Sequence, residues 1–484
     1  MKRRRMLQTL IKNTVWRSLA DVVARLGSAL FWILLARYLG AGTFGAISFA
    51  LALMGFFELV SSLGLSSVLT RDAAQNPATA AAYFGHMLII GLASSAAGGV
   101  LMAGAAWLIR PDPETLRIVI LLAFLLPFTC LAYWSRAMLT AAEKMQFISM
   151  GTLAENAILI LLGLGLLLAG RGIMAVVAAL ALSKVAAAVL LYHLAGSRVA
   201  RPIWRLERGM TAYLLQQVPL FLSIAFFNAL FWSITVVLIT WLEGETAAGY
   251  YSAAYKLISY VLLFAVAFSQ ALFPVAARLA RRDRALYSRL LRRALHYLLM
   301  LFIGAALVLS LLAEPVILFL YGPAMAPAIP VLRWLAWMVV PYGVIPVLAY
   351  TLVSHHRQGR DLMANFLAAA TVVIVNLLLI PRFSAIGGAA AMVAGSAVFA
   401  VVELGSVHTL LYPLRPDRRT LALLASAALL ALTLLFSQGM NFFLRAAAGG
   451  SVYLTALWLL QAIDRSDLRQ LWRAAWPQCR EEMA

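Results

Sequence analysis

The chain has 484 residues, 63% of them hydrophobic and only 12% charged, with a mean hydropathy of +0.90. Soluble domains run at about 45–50% apolar and about 25% charged, so a water-soluble globular protein is excluded and no soluble domain of useful size is left over. The net charge of +20 suggests a nucleic-acid partner only until the charges are placed, and two cysteines, Cys130 and Cys479, give no disulfide framework.

At the N-terminus, Lys2-Arg3-Arg4-Arg5 precedes an apolar run, the outline of a signal peptide. The run is too long for a secretory core and carries Arg17, Asp21 and Arg25, so it reads as a retained first helix. Asn13, Arg17, Asp21 and Arg25 recur every four residues. At ~3.6 residues per turn they share one helix face. An arginine near mid-bilayer is costly, and such residues face a bundle interior or a wet cavity. A cavity-facing stripe is expected; the plainer alternative is Arg17 at the interface and Arg25 paired with Asp21.

Segments able to span ~30 Å at ~1.5 Å per residue follow in order. They fall near 13–39, 45–70, 82–109, 116–139, 149–169 and 172–195, then 212–241, 249–273, 291–320, 331–353, 362–381 and 386–412, and finally 419–437 and 444–463. Fourteen transmembrane helices are expected, joined by turns as short as Gly40-Ala41-Gly42.

Basic residues set the orientation. With the N-terminus inside, Arg198, Arg201, Arg205 and Arg208 share one cytoplasmic loop, and the arginines from Arg278 to Arg293 share another. Arg357, Arg360, Arg415, Arg418, Arg419 and the tail arginines fall on the same side, while outer loops hold scattered singles such as Arg110 and Arg171. The basic total is thus a topology signal, both termini are expected in the cytoplasm, and no nucleic-acid partner is expected.

The chain also repeats itself. Residues 34–45 match residues 238–249 at an offset of 204, which lays Gly40 on Gly244 and Gly45 on Gly249. Farther on, Pro127 lies over Pro341 and Gly172 over Gly387. Two six-helix halves of the same orientation imply a pseudo-twofold along the membrane normal. The expected fold is an all-α polytopic membrane protein with pseudo-symmetric bundles at 1–200 and 201–413 around a central cavity. Residues 414–484 add two transmembrane helices and a cytoplasmic tail.

Asn13-Thr14-Val15-Trp16, Leu35-Ala36-Arg37-Tyr38-Leu39-Gly40 and Phe44-Gly45 resemble the opening of the oligosaccharide and polysaccharide flippases. These belong to the multidrug/oligosaccharidyl-lipid/polysaccharide exporter superfamily. Ser62-Leu63-Gly64-Leu65, Thr70-Arg71 and Leu320-Tyr321-Gly322 continue the pattern, and the resemblance covers nearly the whole chain. It implies a monomeric transporter in the bacterial inner membrane. The implied cargo is an undecaprenyl-diphosphate-linked oligosaccharide for surface polysaccharide, moved without a cofactor and with a proton or sodium gradient as the drive. Membrane lipids and the polysaccharide polymerase machinery are the implied neighbours.

A diphosphate crossing a low-dielectric slab needs cations, and arginine offers a bidentate fork. Arg25, Lys184 and Lys256 are the intramembrane candidates, with Arg17 and Asn13 continuing the first stripe and Asp21 orienting it. Glu58 is level with Arg25 and either pairs with it or titrates. Glu155 and Lys184 form a pair whose role is assembly or function. Lys256 binds or snorkels. Asn228 with Trp232, one turn on, suits sugar hydroxyls and a sugar ring, or Asn228 holds two helices together. Pro219 and Pro274 are candidate hinges. His355, His356, Glu314 and Glu403 read as loop or span-end residues with no special role.

No phosphate-loop, metal-ligand or hydrolase motif occurs in the sequence, and the outer loops are too short for a membrane glycosyltransferase. A protein that is not an enzyme is expected. Two readings within the superfamily stay open: a multidrug/cation antiporter and a flippase for the peptidoglycan lipid precursor. Excess intramembrane cations favour an anionic cargo.

Overall fold

The computed structural model describes residues 2–109, 111–355, 357–413 and 418–462; the side chains of 2–26 and of scattered later positions, chiefly within 271–282, are not among them. Backbone amides have no water to bind inside a bilayer, so long apolar segments satisfy them as helices. No strand occurs among the described residues.

The first seven helices are α1 (Lys2–Ser61), α2 (Ser66–Gln75), α3 (Ala80–Ile109), α4 (Pro113–Ala123), α5 (Leu126–Ala141), α6 (Met145–Leu168) and α7 (Gly172–Arg198). The chain continues with α8 (Arg208–Glu243), α9 (Glu245–Arg282), α10 (Arg284–Leu311), α11 (Ala313–Tyr321), α12 (Ala328–Leu335) and α13 (Val339–Ser354). It ends with α14 (Gln358–Leu410), α15 (Arg418–Phe436) and α16 (Phe442–Leu459).

Among the described residues, eleven helices are long and apolar enough to cross a membrane, or twelve if α4 and α5, bent by 41°, count as one span. The expected fourteen are not resolved as separate helices. Segments 13–39 and 45–70 meet within α1 across Gly40, and 362–381 and 386–412 meet within α14 across Ser384. The reason is local: Gly40 has φ +76°, which glycine adopts freely, so α1 turns there without a loop. Gly244, its image at the 204 offset, ends α8 with φ 86° and ψ 177°, against ψ 175° at Gly40. The repeat read from letters therefore recurs as one backbone conformation. The later match has a similar echo. Pro127 and Pro341 each stand in the first turn of a helix, α5 and α13, that follows a short broken helix.

By contact the chain forms two compact units, whereas the division at 200 and 413 is one of sequence repeat. The first holds residues up to Ala253 with Leu320–Met325 and Val372–Ala391. Its core includes Leu69, Phe84, Met87, Trp134, Met138 and Leu191, all nearly or fully buried. Gly45 on α1 and Gly249 on α9 leave no room for a Cβ, since each would overlap a backbone carbonyl of the other helix.

The second unit holds Ala254–Phe319, Ala326–Thr371 and the chain from Met392. There α15 and α16 pack on α10 through Leu307, Leu423, Leu430, Leu434 and Leu457. Tyr453 Oη donates to the Met300 carbonyl at 2.7 Å, and its ring lies where Gly304 has no side chain. The position of Pro274 is helical within α9, and its side chain lies outside the described residues. Pro219 sits inside α8, with Ser223 Oγ donating to its carbonyl at 2.7 Å.

Candidate functional site

Four charged residues meet in the interior of the first unit. Glu155 is ten residues into α6 and Lys184 twelve residues into α7. At ~1.5 Å per residue both lie some 15–18 Å along a span-length helix, so antiparallel packing brings them level. Lys184 Nζ donates to Glu155 Oε1 at 3.4 Å, the pair expected from sequence. Arg136 on α5 donates through Nη2 to Glu155 Oε2 at 3.2 Å. Glu58 on α1 lies within electrostatic reach of Lys184, Arg136 and Glu155. Arg136 Nε is buried and has no hydrogen-bond partner among the described residues.

The side chains of Arg136, Glu155 and Lys184 keep 39%, 24% and 21% of their surface open. Charges at mid-span are tolerated where they meet one another or a wet cavity, and here they do the first while keeping some open surface. Glu155 is shared by two cations, and their donors are not exhausted. An arginine with an idle Nε and a lysine with three N–H donors can turn to an anion that competes with Glu155.

A second polar group closes the end of α2. Arg71 Nε donates to Asp72 Oδ1 at 2.7 Å and its Nη2 to Tyr213 Oη at 2.8 Å, while Tyr213 Oη donates to Asp72 Oδ2 at 3.0 Å. Asp72 raises the Arg71 guanidinium above its ordinary value. Burial first, and Asp72 second, raise the Tyr213 phenol. A recess of about 330 Å³ opens beside them between Asn76, Thr79 and Met210.

The segment joining the repeats is strapped to α3. Ile203 N–H donates to the Ala81 carbonyl at 3.1 Å, and Gly85 makes room for the Ile203 backbone. His86 Nδ1 faces the Ala82 carbonyl at 2.8 Å and so carries the proton, which leaves Nε2 to accept from Glu207 N–H at 2.7 Å.

The side chains of Asn13, Arg17, Asp21 and Arg25 lie outside the described residues. Asn228 and Trp232 are half-buried on α8, and Trp232 meets the Phe231 ring edge-on at 5.2 Å. Lys256 is half-buried on α9 and belongs to the other compact unit. Glu314 is exposed and 3.7 Å from Arg333, as a span-end residue should be.

Two readings need correction. Glu403 is not interfacial: it is fully buried, and neither carboxylate oxygen receives a hydrogen bond from a described group. His355 is not a solvated loop residue. Its Nδ1 faces the Thr351 carbonyl at 2.9 Å, and its Nε2 accepts from Tyr412 Oη at 2.9 Å, with Tyr287 stacked on Tyr412 at 5.0 Å. His356 lies outside the described residues. Arg136 and Asp361 escaped the sequence reading, although Arg136 stands inside the expected span 116–139 and its charge there was the available signal.

Residues 10–280 match the family described as polysaccharide biosynthesis protein. The chain belongs to the polysaccharide biosynthesis protein family. No curated protein sequence matches it. This family member shares its fold with the lipid II flippase MurJ in an inward closed conformation, at TM-score 0.79 and 15% identity, over 91% of this chain and 98% of that one. An inward-facing multidrug resistance MATE transporter of the MOP superfamily aligns at TM-score 0.64 and 16% identity, over 78% and 92%. A MOP superfamily transporter from Pyrococcus furiosus, described by the reverse polarity of its binding pocket, aligns at 0.58 and 15%, over 80% and 91%. At these identities the likeness is one of fold. The protein is a multi-pass membrane protein with the transporter fold of MurJ and the MATE proteins.

Proposed function

We propose that this protein flips an undecaprenyl-diphosphate-linked oligosaccharide from the cytoplasmic to the outer leaflet of the bacterial inner membrane, by alternating access, for surface polysaccharide synthesis. Both termini would be cytoplasmic, and the working unit a monomer. The observation that carries the reading is Arg136 beside Lys184 at mid-span, with Arg136 Nε buried and unsatisfied. A cation pair kept in place by Glu155, and only partly spent on it, suits a diphosphate that must lose its hydration in transit. Arg25 and Arg17 extend the cationic lining in this proposal, with Asn13 a neutral hydrogen-bonding neighbour on the same stripe. Asn228, Trp232 and Lys256 contact the glycan or the lipid head.

The fold shared with a lipid II flippase supports a second cargo of the same chemistry, the peptidoglycan lipid precursor. A multidrug/cation antiporter is favoured instead by Glu58, a carboxylate set among the same charges. Deleting the gene and measuring which lipid-linked sugar accumulates on the cytoplasmic face separates the three. Accumulation of a polymer repeat unit supports the proposal, accumulation of lipid-linked muropeptide supports the second, and drug sensitivity with neither supports the third.

A further inference from the structure

Glu403 lies in the second half of α14, nineteen residues beyond the break at Ser384, and Asp361 lies in the first turn of the same helix. At the break the chain doubles back, with Gly387 packed against the Leu379 carbonyl, and the two halves bring the carboxyl groups of Asp361 and Glu403 within reach of each other. Asp361 Oδ1 already accepts from Asn365 Nδ2 at 3.3 Å. Glu403 is 0% exposed, and neither of its oxygens receives an N–H or O–H from any described residue. Two ionised carboxylates are acceptors only, so a pair in which Glu403 is fully buried and Asp361 partly so lacks the hydrogen atom that would join them.

The surrounding charges do not supply it. Among the described residues, Asp361 is the charged group that acts on Glu403, and Glu403 the one that acts on Asp361. Arg284 is committed to the Leu411 carbonyl and the Tyr412 ring, and His355 to Thr351 and Tyr412. Arg357, Arg360 and His408 are exposed. No group of three His, Cys, Asp or Glu side chains that could hold a metal occurs among the described residues.

We propose that Asp361 and Glu403 share one proton and form a proton-binding site in the second compact unit. Occupied, the pair carries a single negative charge and a carboxyl–carboxylate hydrogen bond. Losing the proton leaves two negative charges side by side, one of them on the fully buried Glu403, and burial and like-charge repulsion both oppose that state. The inference stands on this pair alone and is independent of which lipid is carried.

The test is infrared spectroscopy of the purified full-length protein in lipid nanodiscs, following the carboxylic-acid C=O stretch at neutral pH. Wild type should show a protonated carboxyl that persists there and is lost on alkaline titration. Glu403→Gln should remove that band and Asp361→Asn should move its loss to lower pH, with thermal melting in nanodiscs confirming that the variants fold. If both variants unfold, the wild-type titration alone decides. Absence of a protonated carboxyl at neutral pH overturns the proposal. So does a band unchanged in both folded variants, which would place the proton elsewhere. Loss of the wild-type band on adding sodium chloride at fixed pH would also overturn it, in favour of a cation site.

Discussion

Gly45 packs against the carbonyl of Glu245, and Gly249 packs against the carbonyl of Ala41. Gly249 is the repeat image of Gly45, and Glu245 is the image of Ala41, both at the offset of 204. The contact between α1 and α9 is therefore made twice, once from each repeat, with the roles exchanged. Only a residue without Cβ permits backbones this close. Gly45→Ala should destabilise the protein by about 1–3 kcal/mol, the usual penalty for overpacking. Gly55→Ala, with open space around it, should not. Thermal melting of the purified variants distinguishes them, and equal melting would mean the contact is loose.

The four-charge cluster predicts a graded loss. Arg136→Ala and Lys184→Ala should each cut flipping at least tenfold, equivalent to about 1.4 kcal/mol, at normal abundance. Arg136→Lys keeps the charge, loses the Nε donor and should fall between. Glu155→Gln leaves two cations without their carboxylate and should lower the amount of folded protein. Wild-type flipping by Arg136→Ala would reduce the cluster to an assembly device.

Arg25 carries the expectation drawn from the first stripe. Arg25→Ala should abolish transport in a protein that still inserts, and Arg25→Lys should restore part of it. If Arg25 instead only pairs with Glu58, the exchange of Arg25→Glu with Glu58→Arg should recover function. Flipping assays with immunoblotting of membranes decide between these outcomes.

Reporter fusions check the topology. Fusions after Arg201 and after Pro413 should signal cytoplasm, and one after Arg171 should signal the outer side. The expectation rests on the basic loops alone.

Tyr213 gives a pH signature. Its hydrogen bond to Asp72 needs the phenol protonated, and the folded-state value is raised. The bond's stabilisation is therefore complete below the ordinary phenol range, about pH 10, and fades as pH climbs through the raised value. The melting difference between wild type and Tyr213→Phe should be flat across neutral pH and vanish in strong alkali.

Much of the fold was legible because a bilayer forces helices on apolar chains. Glu155 and Lys184 were legible because both sit mid-span on neighbouring helices, where depth alone predicts a meeting. Depth failed for Glu403. Counting residues put it near a span end, but which face it occupies depends on how α14 returns on itself after Ser384. Asp361 fell just outside the expected span 362–381, and so its partnership was invisible. His355 failed for the same reason, since Tyr287 and Tyr412 reach it from distant parts of the sequence.

The strap on α3 bears on how the chain meets a protease. Arg201, Arg205 and Arg208 are exposed and make 201–208 look like a trypsin site. Cleavage needs an extended segment to peel away and fit the enzyme's cleft, and here Ile203 is bound to Ala81 and Glu207 to His86. Its Ile203, Trp204 and Leu206 side chains are exposed beside the arginines, a composition that settles among lipid headgroups. The folded protein would therefore resist trypsin at the seam between its two repeats, and the peptide that sequence marks as the easiest to cut would stay whole.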